Sequence, residues 1–129
     1  MTWVEDLISR LQAAPDGKIS VILNNQTIIL QVTKDLILFF VANQALLARV
    51  GKEAFRDFLL LVHEKKDEEA FNLLLARMTA QDIIDRMNAN AQGLSQNTDD
   101  REKFLAALEQ FFLKTLAPDA LKVLIGMLV

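Results

Sequence analysis

His63 is the only histidine of this chain, and it is the first residue to weigh for proton transfer. It falls with Lys52 and Arg56 on the polar side of its helix. It also sits in the last turn, where the helix dipole favours a cation, so a solvated surface histidine is expected. His63-Glu64 does not open a zinc-protease motif, because position 67 is Asp rather than His. Asp82 and Asp85 stand three apart on one helix face and could hold a hard cation loosely. Arg86, four residues after Asp82, instead makes an ordinary surface pair. No Glu-x-x-His unit accompanies them, so a di-iron carboxylate centre is not indicated. Glu68 and Glu69 lie in a first helical turn, where acids stabilise the dipole.

Nucleophiles are equally sparse. Ser9, Ser20 and Ser95 lack a G-x-S-x-G setting. The glycines Gly17, Gly51, Gly93 and Gly126 are dispersed, so they form no phosphate loop. Cysteine is absent, which excludes disulfides, thiolate catalysis and thiolate metal sites. The expectation is a protein with no catalytic residues, no metal site and no cofactor, hence not an enzyme.

Charge narrows the partners. The net charge is -3 and the estimated pI is about 5.1, which argues against a default nucleic-acid binder. The charge is uneven. Asp67, Glu68, Glu69, Asp82, Asp85, Asp99 and Asp100 face only Arg77 and Arg86 between positions 67 and 100. Positions 36–66 are net basic through Arg49, Lys52, Arg56, Lys65 and Lys66. Leu74 to Met87, LLARMTAQDIIDRM, resembles the opening of a helix-turn-helix, an apolar helix followed by a short turn. A degenerate motif over 74–95 would imply a DNA-binding regulator. Its recognition segment, NANAQGLSQ, carries no Lys or Arg for phosphates, though Asn88, Asn90 and Gln92 could touch bases.

The elements that must position these residues come next. A helix over 2–13 opens with Thr2 and Glu5 as a capping box and carries Val4, Leu7, Ile8 and Leu11 at helical spacing. Pro15-Asp16-Gly17 turns the chain. A hairpin spans 18–32, with Asn24-Asn25 as its turn. A two-residue loop pairs Leu23 with Gln26, Val21 with Ile28, and Ile19 with Leu30. One face is then apolar, and Ile22 and Ile29 stand on the other. The first or the central helix is expected to cover the apolar face. Further helices are predicted at about 34–50, 52–65, 68–78, 80–93, 99–116 and 118–128.

The central helix, 34–50, is apolar nearly all round and should be wrapped by the rest of the fold. Thr33 caps it and Gly51 ends it. Ala42, Ala45 and Ala48 form a small-residue side suited to close helix approach. Asn43 and Gln44 are its interior amides. Such groups need partners, so they are the candidate ligand-binding or core polar residues. Hairpin backbone or a neighbouring loop would satisfy them; a small ligand or a register-setting dimer contact is the functional reading.

The fold class is therefore α+β, mostly helical, as a single domain over 1–129: an N-terminal helix and β-hairpin on a bundle of about five further helices. The N-terminus lacks a signal-peptide pattern, and the longest apolar run, Leu36 to Ala42, is too short for a membrane span. A cytoplasmic protein is expected. The apolar fraction is 52%, and the C-terminal VLIGMLV must dock on its own core or on another subunit. The leading functional expectation is a non-enzymatic protein-interaction module, self-associating as a homodimer or homo-oligomer or binding a protein partner. Its interface residues would be Ile22, Ile29, Val123, Ile125, Met127 and Val129. The alternative is a small apolar-ligand carrier or sensor lined by Phe39, Phe40, Phe55, Phe58 and Phe111.

Overall fold

The computed structural model describes residues 2–87, 98–116 and 118–128. Helix α1 (Trp3–Gln12) starts as its capping residues dictate: the Glu5 N–H donates to Thr2 Oγ1 at 3.2 Å. Val4, Leu7, Ile8 and Leu11 are all buried. Each such side chain contributes about 1.5–3 kcal/mol relative to exposure.

Strands β1 (Lys18–Leu23) and β2 (Gln26–Gln31) form an antiparallel hairpin in the register expected, from Leu23–Gln26 at the turn to Lys18–Gln31 at the base. Asn24 and Asn25 both take positive φ, 52° and 64°, as a two-residue turn matched to strand twist requires. Ile28 and Leu30 are buried, while Ile22 and Ile29 face outward. The covering element differs from expectation. It is the last helix, α7 (Pro118–Met127), that packs on the hairpin, mainly beneath β2.

The long central helix is in fact two. α2 (Lys34–Ala42) stops at Asn43, and α3 (Gln44–Val50) starts again at once. The Phe39 carbonyl accepts both the Asn43 backbone N–H, at 3.1 Å, and Asn43 Nδ2, at 2.8 Å. A short amide that bonds nearby backbone competes with helix continuation, and Asn43 sits at φ -110°, ψ 19°. Gly51, at φ 101°, separates α3 from α4 (Lys52–His63).

The opposite deviation occurs in α5 (Asp67–Met87), a single helix where two were expected at 68–78 and 80–93. Thr79 does not cap a new helix. Its hydroxyl donates to the Leu75 carbonyl at 2.9 Å, a bond compatible with continued helix, and no Gly or Pro interrupts the stretch. The predicted turn of a helix-turn-helix is therefore absent. Its recognition segment, with Asn88, Asn90 and Gln92, lies outside the described residues.

Helix α6 (Thr98–Leu108) passes into a π-helical segment, Glu109–Thr115, where the Leu116 N–H reaches back to the Phe111 carbonyl at 3.0 Å. Phe104, Leu108 and Phe112 are buried at a spacing of four. On an α-helix that spacing drifts by about 40° per step. The wider i→i+5 turn works against the drift and keeps Phe112 inward.

The core joins these helices through aromatic rings. Phe40, Phe55, Phe58, Phe104 and Phe112 are fully buried. Phe55 meets Phe40 and Phe112 edge-on, with centroids 6.1 and 5.7 Å apart, and Phe39 stacks on Phe111 at 5.3 Å. Two long-range bonds then tie helix ends together. Arg10 Nη1 donates to the Met127 carbonyl at 2.9 Å, and Arg77 Nε donates to the Val50 carbonyl at 3.0 Å.

Candidate functional site

Asn43 and Gln44 are half-buried at the joint between α2 and α3, not sealed in the core. The Asn43 amide is spent on its own helix at Phe39, rather than on the hairpin or a neighbouring loop. The joint opens on a surface cleft of about 480 Å³ between α3 and α6, lined by Ala42, Asn43, Ala45, Leu46, Lys103 and Ala107. The small-residue side of the central helix thus borders a groove, with Ala42 and Ala45 exposed.

His63 is half-buried in the last turn of α4. It borders a smaller cleft of about 210 Å³ with Lys65, Asp67, Leu113, Leu116 and Pro118. Among the described residues, no three His, Cys, Asp or Glu side chains gather closely enough to hold a metal ion. The side chains of Asp82, Asp85 and Arg86 lie outside those described. A third cleft, of about 490 Å³, lies where α3, α4 and α5 meet, beside Gly51 and Arg77. Its polar groups are mixed in sign, with Lys52 and Arg77 beside Glu53 and Asp57, so no one charge of ligand is favoured.

The expected interface residues divide sharply. Ile22 is 75% exposed and Ile29 52% exposed on the outer face of the hairpin. Val123 and Met127 are buried within their own fold, and Ile125 is half-buried against the same core. The apolar C-terminal helix therefore takes the first of its two options and docks internally. Val123 and Met127 are thereby closed to a second chain in this fold, while Ile125 keeps part of its surface. Val129 lies outside the described residues.

Sequence reasoning missed other exposed apolar side chains: Leu38 and Val41 on α2, and Ile83, Ile84 and Met87 towards the end of α5. A signal existed for the first pair, because Leu38 and Val41 share the Ala42–Ala45 side of the helix. The apolarity of the whole segment concealed it.

The hairpin has the best-defined free geometry. It is a two-stranded sheet, with no third strand on either edge among the described residues. A two-residue turn makes Leu23–Gln26 a mutually bonded pair. Alternate pairs, Val21–Ile28 and Ile19–Leu30, repeat the pattern. The Val32 N–H donates to the Gly17 carbonyl at 2.7 Å, in phase with it. Lys18, Ser20 and Ile22 therefore turn their peptide groups away from β2. The Lys18 N–H is taken by the Pro15 carbonyl. The Ser20 and Ile22 groups make no further backbone bond among the described residues. Among those residues, too, no helix is long and apolar enough to cross a membrane. No family model, curated protein or solved structure matches this chain.

Proposed function

We propose that this chain is a non-enzymatic protein-interaction module that associates with a second copy of itself through the hairpin. The carrying observation is that hairpin: among the described residues no third strand joins either edge, and Ile22 and Ile29 are exposed on the same outer face, diagonally across the strand pair. Isolated two-stranded sheets are marginal, and an open edge is a ready template for another strand. The last helix plays no part in this surface, because Val123 and Met127 already serve the core.

The other expectations find less support. The phenylalanines proposed to line a ligand cavity pack ring against ring, as with Phe39 on Phe111 and Phe55 on Phe58. The DNA-binding reading needs a turn near Met78–Ala80, where α5 runs straight through.

Light scattering and sedimentation across a micromolar concentration series test the proposal. The expected result is a mass that rises towards twice the monomer. Ile22→Lys with Ile29→Lys should abolish the rise and leave the circular dichroism unchanged, since exposed sites tolerate such changes. A monomer throughout removes self-association. An oligomer that survives both substitutions removes the hairpin from it.

A further inference from the structure

We infer that Met87 is a reversible oxidation site. In the folded chain, peroxide reaches its thioether ahead of those of Met78 and Met127, and the sulfoxide turns an apolar helix end polar.

The sequence leaves this chemistry to methionine. There is no cysteine, so thioethers hold the chain's only sulfur. Met78 is 0% exposed and Met127 6%, whereas Met87 is 80% exposed. An oxidant must touch the sulfur, so Met78 and Met127 react only when the fold opens. Met87 requires no opening.

The helix makes this exposure a property of the fold. Met78 is the last buried residue described on α5. Every side chain described beyond it, on Thr79, Ala80, Ile83, Ile84 and Met87, is exposed. Ile83 and Ile84 stand four and three residues before Met87, so the three share one face. Ile83 is 53% and Ile84 46% exposed, and with Met87 they form an apolar strip at the helix end.

The step balances with hydrogen peroxide as oxidant. A sulfur lone pair attacks one peroxide oxygen. The O–O bond breaks, an S–O bond forms, and the other oxygen leaves as water with both protons. Sulfur loses two electrons and the peroxide gains them. The product is a polar, chiral sulfoxide, which sulfoxide reductases return to the thioether. At Met78 that change would disrupt the core. At Met87 it alters the strip and leaves the packing of α5 in place.

The chain's own trypsin sites supply the test. Arg77 and Arg86 put Met78 and Met87 on different peptides, Lys122 isolates Met127, and Arg10 isolates Met1. Timed treatment of the full chain with hydrogen peroxide, then digestion and mass spectrometry, gives each rate in buffer and in urea. In urea the rates of Met78, Met87 and Met127 should converge. In buffer, Met87 should stay within about twofold of its urea rate, while Met78 and Met127 slow at least ~tenfold. Met87 slowed as much as the other two would overturn the site. The oxidised protein should also elute earlier from a phenyl column, with unchanged circular dichroism, and methionine sulfoxide reductase should restore its retention. Met87→Leu under the same treatment should keep its retention. An equal loss in Met87→Leu would overturn the switch in the strip.

Discussion

The Arg10 guanidinium donates to the Met127 carbonyl at 2.9 Å, so the first helix closes the C-terminal end of the last. Carbonyls in the last turn of a helix lack partners within it, and a cation there also meets the negative end of the dipole. The bond joins residues at opposite ends of the described chain and holds α7 against α1 while α7 covers β2.

Replacing Arg10 should loosen that arrangement measurably. Arg10→Met keeps much of the apolar stem and removes the donor. A loss of about 1 kcal/mol is expected. Thermal unfolding should shift down by about 3–5 °C. Arg10→Lys should recover part of the loss, whereas equal losses for Met and Lys would mean that the hydrogen bond contributes nothing.

Phe55 makes the second case. It is fully buried and its ring touches those of Trp3, Phe40, Phe58 and Phe112. Phe55→Ala should cost about 3–5 kcal/mol through lost burial and the cavity left behind. Against a typical total of about 5–15 kcal/mol, the variant should unfold at much lower urea. A midpoint within error of wild type would contradict the central place given to this ring.

The hairpin turn predicts a gain instead. Asn25 holds φ 64°, which glycine adopts freely and Asn tolerates at some cost. Asn25→Gly should raise stability by about 0.5 kcal/mol, and Asn25→Val should lower it by about 1–2 kcal/mol. Chemical denaturation of both variants checks the pair of signs.

Gly51 predicts a loss of different origin. Its φ of 101° with ψ of 148° is closed to residues with a Cβ, yet the nearest outside atom to a Cβ built there is Arg77 Nη2, at 3.8 Å. Space is available, and only the backbone objects. Gly51→Ala should therefore cost about 1–3 kcal/mol, read as a lowered urea midpoint. A neutral result would show that α3 and α4 can adopt another junction.

What was legible in the sequence followed from periodicity. The hairpin register was readable because a two-residue turn and a strict alternation leave one face for Ile28 and Leu30. The helix boundaries were less so, since they hang on what one side chain does with its hydrogen bond. Asn43 bonds backwards and ends a helix, while Thr79 bonds backwards and lets one continue. Residue type alone predicts neither. Which apolar side chains stay exposed was half legible for a related reason. Apolarity marks Ile22 and Val123 alike as needing cover, but only the packing of α7 tells which of them already has it.

The order of synthesis gives the α7 cover a temporal meaning. The hairpin is complete at Gln31, and the helix that shields its apolar side begins only at Pro118. At about 5–20 residues per second, the start of that helix is synthesised roughly 4–17 seconds after the strands it protects. Until α7 is made, Ile28 and Leu30 lack that cover, so a helix far along the chain sets when the hairpin is shielded.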